Sequence, residues 1–307
     1  MNISDRYFHA NGKLLLSGEY FVLDGALALA VPVKQGQSLR VEEQANFSHI
    51  AWESADAEGN IWFKALLSAE DFSVLSATDA AVGQRLSEIL TAARAQNEDF
   101  LPGGAIVRTE TEFPREWGLG TSSTLLYCIA RWAEADAYRL LFATFGGSGY
   151  DLACAGADSA IFYRLRDGRP VFHPFPFQPS FRRSLYFVYL GKKQDSREGI
   201  ARYREQVKNA PELIEQVSAL TESMARAETL AEFNDLIRAH EEIVSRTLKL
   251  PRAKDLYFSD FGGEVKSLGA WGGDFVMVTS ENTPAVTRKY FAEKGYEVCL
   301  SFDDLVL

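Results

Sequence analysis

The stretch REWGLGTSSTLLY, residues 115–127, carries the most information about the fold. Two glycines, Gly118 and Gly120, precede four consecutive hydroxyl residues, Thr121–Thr124, and an apolar run follows. Glycines allow a tight turn and a close approach of the backbone to a ligand. A helix that begins just after them points its free N–H groups and its positive dipole end into that turn, where they favour an anion. The pattern therefore predicts a turn that leads into a helix from Ser122 to about Ala135.

The four hydroxyl side chains have two interpretations. They can donate hydrogen bonds to phosphate oxygens, and one of them can ligate Mg²⁺; alternatively, Thr121 alone can supply an ordinary N-cap. This stretch by itself does not decide between phosphate binding and capping. It is not a Walker A loop, because the lysine of GxxxxGK[ST] is absent. It also fails as a dinucleotide-binding motif, since Ser123 stands where the third glycine would be.

Composition narrows the class of protein and of partner. The chain has 307 residues, which predicts two domains rather than one. Its net charge of -10 weighs against nucleic acid or an anionic membrane as partner, although a small anionic substrate needs only local Lys and Arg. The three cysteines show no CxxC spacing, so we expect reduced thiols and no zinc site. The N-terminus lacks an apolar signal core and no run of 18 apolar residues occurs, so we expect a soluble, cytoplasmic protein.

Periodicity predicts mixed strand and helix in the first half. The segment KLLLSGEYFVLDGALALAVPV, residues 13–33, contains strand-like apolar runs that break at Gly18 and at the turn dipeptide Asp24-Gly25. Strand alternation continues in SLRVEEQ and GGAIVRTETEF. Between them, QRLSEILTAARAQ repeats apolar residues at helical spacing.

The second half has a different order of elements. Strands are predicted at SLYFVYLG, DFVMVTS and YEVCLSF. Helices are predicted at about 197–208, 211–224 and 230–248, and at PAVTRKYFAEKG, where Gly295 would end the helix. Strand, helices, strand, helix and strand is the order of a split βαβ sandwich. A cluster of prolines between residues 170 and 179 marks the joint between the two halves.

Three stretches, taken in order and spacing, resemble the three motifs of the GHMP kinases, named for galactokinase, homoserine kinase, mevalonate kinase and phosphomevalonate kinase. They are GKLLLSGEYFVLDG at 12–25, WGLGTSST at 117–124 and KSLGAWGGDFVMV at 266–278. GGSGYDLACAG, residues 146–156, is similar to a segment of phosphomevalonate kinases, as is the GGD that ends at Asp274. YLGKKQDSREGI, residues 189–200, is similar to a substrate-side segment of the same branch.

This resemblance implies an α+β fold of two domains. Residues 1–170 would form an N-terminal mixed α/β domain of the ribosomal S5 domain 2-like type, and residues 171–307 a C-terminal ferredoxin-like split βαβ domain. The implied cofactors are ATP and Mg²⁺, and the implied reaction transfers the γ-phosphoryl group to a small acidic metabolite, with phosphomevalonate or mevalonate as first candidates. Two alternatives stay open: a nucleotide-binding protein with altered catalysis, and a kinase for a non-isoprenoid alcohol.

The resemblance also assigns roles to residues. Asp151 matches the catalytic aspartate and would orient or accept the proton of the attacking hydroxyl. Lys13 matches the motif lysine and would stabilise charge on the transferring phosphoryl group. Ser122 would ligate Mg²⁺. The nucleotide would be held by the second and third motifs: Gly118, Leu119, Gly120, Thr121, Ser122, Ser123, Gly269, Gly272 and Gly273. Taken singly, Asp151 is better explained as a turn or N-cap residue and Lys13 as a surface lysine at a strand start; their joint match in order favours the site.

Four residues are assigned to the acceptor: Glu19, Lys193, Ser196 and Arg197. Lys193 and Arg197 belong to a basic cluster with Lys192 and Arg202 in an otherwise acidic chain, and together with Ser196 this cluster suits a carboxylate or phosphate. A solvated helix face is the alternative for that cluster. For Glu19 the alternative is a structural ion pair with a nearby base, and this structural role is favoured over a contact with the acceptor.

The chain departs from the family at two places. Mevalonate kinases carry a Mg²⁺-binding glutamate before the catalytic aspartate, but the corresponding region here, YRLLFATFGG, contains no acid, and Glu134 and Asp136 are the nearest. Trp271 replaces a small residue of the third motif, and we expect its indole to narrow the loop or to fill part of the cleft. The sequence therefore assigns no acidic ligand to the metal.

Overall fold

A computed structural model describes residues 4–44, 46–192, 196–208, 210–271 and 273–307. The chain forms two compact units, which are not continuous in sequence. Unit 1 comprises the residues up to Gly12, Gln35–Arg115 and Leu119–Gly156. Unit 2 comprises Lys13–Lys34, Glu116–Gly118 and Ala157–Leu307. Each unit has its own sheet pairings and its own hydrophobic core.

The strands of unit 1 form a mixed sheet. Two long strands pass through both units: β1 (Ser4–Ser17) and β2 (Ala28–Gln44). The others are β3 (His49–Ala55), β4 (Ile61–Ser68), β5 (Val74–Ala77) and β6 (Gly104–Thr111). Strand β3 pairs antiparallel with β4 and parallel with β6, whereas β6 pairs antiparallel with the second part of β2. The alternation predicted for residues 38–44 and 103–113 is therefore confirmed as strand.

Four helices cover this sheet: α1 (Ala80–Arg94), α2 (Thr121–Ala133), α3 (Ala137–Thr144) and α4 (Tyr150–Ala155). Helix α1 begins where the Asp79 carboxylate accepts hydrogen bonds from the N–H groups of Ala81 and Val82. Its apolar stripe packs with Trp52 and Val107 of the sheet in one buried cluster. Helix α2 starts one residue before the predicted position.

In unit 2 the first part of β2 pairs with β7 (Ile161–Arg166), which pairs with β8 (Arg169–Pro174). A second sheet contains β9 (Leu185–Tyr189), β10 (Val265–Ser267), β11 (Phe275–Thr279) and β12 (Cys299–Ser301). Its order is β10-β11-β9-β12 and all of its pairs are antiparallel. This is the strand order of a split βαβ sandwich, which confirms the prediction for the second half. The three-residue strand β10 was not predicted.

The helices of unit 2 are α5 (Ser196–Gln206), α6 (Pro211–Arg226), α7 (Leu230–Leu248), α8 (Ala253–Tyr257), α9 (Pro284–Glu293) and α10 (Phe302–Leu305). The bounds predicted for α7 are confirmed, and those for α5, α6 and α9 agree within two residues. In the part of the chain that the structure describes, every helix is too short or too polar to cross a membrane.

The segment Lys13–Lys34 belongs to unit 2 because of where its apolar side chains are buried. Phe21 and Ala26 lie in one cluster with Val217 of α6 and Val244 of α7. The compact units therefore differ from a division at residue 170, because a stretch near the N-terminus packs on helices that come much later in the chain.

Candidate functional site

The glycine turn before α2 has the geometry of a ligand-binding loop. Gly118 and Gly120 have φ angles of 67° and 97°, in the left-handed region that favours glycine. Gly120 is the N-cap of α2, and no described side chain caps the helix there. Thr121 is thus the first helical residue, so the interpretation of Thr121 as an N-cap is wrong. The first N–H groups of the helix have no intrahelical acceptor and can bind an anion.

The four hydroxyl residues divide into an inner and an outer pair. The Thr124 hydroxyl is buried and donates to the Gln37 side chain at 2.6 Å. The Ser123 hydroxyl is also buried and donates to the Asp151 carboxylate at 2.5 Å. Thr121 is half-buried and Ser122 is exposed. Two hydroxyls therefore organise the interior of unit 1, whereas Ser122 at the helix start is accessible to a phosphate or a metal ion.

The structure brings Asp151 to the start of α2. Asp151 is the second residue of α4, which begins after Gly149, and its side chain is half-buried. The hydrogen bond from Ser123 fixes one carboxylate oxygen, and the other accepts from the backbone N–H of Leu152 at 3.1 Å. Ser123, which follows the glycine loop, and Asp151, which ends the GSGYD segment, thus lie side by side within unit 1.

Lys13 contacts Gly118 of the glycine loop within unit 2. Its ammonium donates a hydrogen bond to the Gly118 carbonyl oxygen at 2.8 Å. Lys13 belongs to unit 2 and Asp151 to unit 1, and the pairing of their side chains stays a prediction.

The third motif also reaches Gly118. Asp274 has a φ of 52°, and its carboxylate lies against the Gly118 backbone, where an added Cβ would be 2.5 Å from the Asp274 Cγ. Gly269 has a φ of 59° and lies close to the same carboxylate, with 3.9 Å from an added Cβ to Oδ2. Gly273 is buried, and Gly272 lies outside the described residues. Within unit 2 the second and third motifs are therefore in contact, and Gly118 has no room for a side chain.

No protein-family model matches the chain. No curated protein matches it either. Solved structures do match over almost its whole length. Mevalonate kinase of L. major in complex with R-mevalonate has a TM-score of 0.69 at 15% identity, with 95% of this chain and 91% of that chain covered. Phosphomevalonate kinase of Streptococcus pneumoniae in complex with phosphomevalonate and AMPPNP has a TM-score of 0.69 at 14% identity, with 96% and 99% covered. The chain has the GHMP kinase fold. Lactococcus lactis galactokinase complexed with galactose shares this fold, with a TM-score of 0.70 at 12% identity and 97% and 93% covered.

The α+β fold class implied by the motifs is thereby confirmed. At these identities the likeness concerns the fold alone, and the neighbours named above are kinases with different ligands: R-mevalonate, phosphomevalonate and galactose. The activity and the acceptor of this GHMP-fold protein must therefore be argued from its own residues.

Trp271 occupies a different place from the one expected. Its side chain is only 3% exposed and packs with Tyr20, Phe21 and Tyr203 in the hydrophobic core of unit 2. The expectation that the indole narrows the loop or fills a cleft is wrong, because its apolar rings are buried among aromatic side chains. The left-handed φ of 45° at Trp271 turns the chain so that the indole points into that core.

Glu19 is a buried ion-pair residue rather than an accessible ligand group. Its side chain is 0% exposed, and its carboxylate accepts a hydrogen bond from the equally buried ammonium of Lys266. His240 lies on its other side, with 3.3 Å between Nε2 and Glu19 Oε2. Burial raises the pKa of the Glu19 carboxyl, and the Lys266 charge opposes that rise. The burial does not support a direct contact between Glu19 and an acceptor.

Sequence reasoning missed three partners in this buried region: Lys266, His240 and Glu241. A signal was present in α7, whose apolar stripe includes Phe233, Ile237, Val244 and Leu248 at helical spacing. His240 and Glu241 occupy the middle of that stripe, where an apolar residue is expected. A charged residue at a core position predicts a buried partner.

The acceptor segment is only partly described. Lys193 lies outside the described residues, Ser196 begins α5, and Arg197 is exposed on that helix. Their assignment to the acceptor stays a prediction.

The structure identifies which groups fit ATP and Mg²⁺. The uncapped start of α2 and the bare Gly118 backbone fit phosphate oxygens, and the exposed Ser122 hydroxyl fits a metal ligand. Among the described residues, no three His, Cys, Asp or Glu side chains come together as a metal-binding group. Asp136 caps α3, and Glu134 ends α2 with its carboxylate 3.7 Å from Arg6. Both nearby acids therefore have structural partners.

Proposed function

We propose that the protein is an ATP-dependent kinase that transfers the γ-phosphoryl group to a hydroxyl of a small acidic metabolite, with phosphomevalonate and mevalonate as first candidates. The observation that carries this proposal is the uncapped start of α2, together with the Asp151 carboxylate bonded to Ser123 in its first turn. An anion site and a positioned carboxylate at one helix end are two of the parts that phosphoryl transfer uses.

The glycine loop and α2 supply the nucleotide contacts. The N–H groups of Thr121 and Ser122 donate hydrogen bonds to the phosphates of bound ATP. The positive end of the helix dipole favours the negative charge of these phosphates. Bound Mg²⁺ would neutralise part of the phosphate charge, with the Ser122 hydroxyl as its protein ligand. Gly118 must lack a side chain so that the Asp274 carboxylate of the third motif can pack against the backbone of the loop.

Asp151 orients the acceptor hydroxyl and takes its proton late in the step. A carboxylate within hydrogen-bond reach of the attacking oxygen contributes in this way. The Ser123 hydroxyl and the Leu152 N–H each hold one carboxylate oxygen in place, and the second lone pair of either oxygen can accept from the acceptor hydroxyl. Lys13, anchored on the Gly118 carbonyl, supplies a positive charge for the transferring phosphoryl group.

A second candidate function is nucleotide binding without turnover. It is favoured by the segment 138–147, which has no acid where mevalonate kinases carry a Mg²⁺-binding glutamate. In that case the loop would still bind ATP, but the metal would not be placed for transfer.

Two measurements separate the candidates. Calorimetric titration with AMPPNP and Mg²⁺ measures nucleotide binding, and a coupled assay measures ADP release with R-mevalonate, phosphomevalonate and galactose as separate acceptors. Acceptor-dependent ADP release that disappears in Asp151→Asn supports the kinase. Binding of AMPPNP, with no ADP release in the presence of any of the three acceptors, favours the nucleotide-binding protein. Failure to bind AMPPNP contradicts both candidates.

A further inference from the structure

A network of buried charged side chains lies inside unit 2. Glu19, Lys266, His240 and Glu241 each have at most 1% of their surface exposed. The Lys266 ammonium donates to the Glu19 carboxylate and, at 3.1 Å, to the Ser267 carbonyl oxygen. The backbone N–H and the hydroxyl of Ser267 both donate to the Glu241 carboxyl at 3.1 Å. Every charged member therefore has at least one polar partner inside the unit.

The network joins three parts of the chain that are distant in sequence. Glu19 belongs to the first motif, Lys266 and Ser267 form the end of β10 just before Gly269, and His240 and Glu241 come from α7. The Gly18 N–H donates to His240 Nε2 at 3.3 Å, so the turn after β1 is held to the same helix. Helix α7 is thus the common support of the first and third motifs.

Such a network fixes geometry more than it adds stability. Replacing a buried ion pair by apolar residues is often neutral for stability, whereas removing one partner is strongly destabilising. Lys266 lies in the middle of the three-residue strand β10, so its pairing with Glu19 fixes the face of the strand on which the Lys266 side chain lies. A shift of one residue in β10 would turn Lys266 to the opposite face and leave Glu19 buried without a cation.

We propose that Glu19 is a positioning residue, which acts through Lys266 and β10 to place Gly269 and the Asp274 carboxylate beside Gly118, and that it does not touch the acceptor. This proposal rests on the proposed kinase function for its catalytic consequence. It rests on the contacts of unit 2 alone for its structural consequence. It replaces the acceptor role that the motif resemblance gave to Glu19.

Kinetics distinguish positioning from direct contact. Glu19→Gln keeps the shape of the side chain and removes its charge, so Lys266 loses its counter-ion. We expect kcat to fall about 10–100-fold, the usual effect of a misplacement of roughly 1 Å, while the acceptor KM stays within about twofold. A large rise in the acceptor KM with unchanged kcat would show that Glu19 contacts the acceptor and would overturn the proposal. Glu242→Gln, next to Glu241 on the exposed face of α7 and paired with Arg246, is the matched control and should match wild type.

Amide hydrogen exchange tests the network independently of catalysis. In Glu19→Gln the amides of Ser267 and Leu268 should exchange at least about tenfold faster, because their strand loses its anchor. Exchange as slow as in wild type would refute the positioning role even if the protein proves not to be a kinase. If Glu19→Gln does not fold, Glu19→Asp provides the same test, since it keeps the charge and withdraws the carboxylate from the Lys266 ammonium by one methylene group. If wild type releases no ADP with any acceptor and the variants exchange faster, the proposed function is contradicted. The positioning role of Glu19 is still supported in that case.

Discussion

Glu241→Gln should remove a pH dependence of stability that the buried network creates. Glu241 is 1% exposed, and burial raises the pKa of its carboxyl from the ordinary 4.5 to about 8, with Lys266 opposing and Glu19 adding to the rise. His240 stays neutral because burial, and then Lys266, lower its pKa well below 6.5. If Glu19 and Glu241 were both ionised beside the charged Lys266, the interior would hold one net negative charge. A proton on Glu241 removes this net charge.

The sign and the size of the effect follow from proton linkage. Between pH 4.5 and about 8 the folded protein holds a proton on Glu241 that the unfolded chain has lost. The free energy of unfolding therefore falls as pH rises, by up to about 1.4 kcal/mol per pH unit, and levels off above about pH 8. Glutamine cannot ionise, and it can still accept from the Ser267 N–H and donate to the Ser267 hydroxyl. The variant should equal wild type in stability near pH 5 and exceed it by several kcal/mol near pH 8.

Urea unfolding of wild type and Glu241→Gln at several pH values between 5 and 9 measures the difference between their free energies of unfolding directly. Other titrating groups cancel in that difference, because both chains carry them. Glu242→Gln serves as the control, since its carboxylate is exposed and its curve should run parallel to wild type. The hydrogen bond to Asp255 raises the pKa of Arg252, and the Glu241 charge adds to this rise. Asp255 should therefore stay unchanged in these variants. Parallel curves for Glu241→Gln and wild type would refute the reasoning, because they would mean that Glu241 is already ionised in the folded state.

Three further outcomes are expected. Asp151→Asn should lower kcat by about 10²–10⁴-fold with little change in AMPPNP affinity, because the carboxylate acts on the acceptor proton; full activity would defeat the mechanism. Gly118→Ala should weaken AMPPNP binding in calorimetry and lower the unfolding midpoint, since the left-handed φ costs about 1–2 kcal/mol and the methyl group meets the Asp274 carboxylate; an unchanged affinity would remove the loop from the nucleotide site. Charge reversal at Lys193 and Arg197 should raise the acceptor KM and leave the ATP KM unchanged, and an unaltered acceptor KM would reject their assignment.

Local pattern by itself determined most of the elements and their order. The apolar stripes of α1 and α7 and the alternation in β6 each have a period that only one secondary structure fits, and the short aromatic-rich run of β9 has the length of a buried strand. The glycine pair before α2 was informative for the same reason, since only a left-handed turn needs glycine at both positions. These features depend on a few consecutive residues, so one sequence is sufficient to predict them.

The tertiary structure alone decided what the polar side chains of those elements do. Thr121 is a helical residue rather than a cap, because Gly120 occupies the N-cap position. Glu19 is a buried partner of Lys266, although the two residues are 247 positions apart. The division into units was likewise out of reach, because Phe21 is buried by α6 and α7. A period in the sequence tells which face of a helix or strand is buried, but the charge that neutralises a buried group comes from whichever distant segment the packing brings to that face.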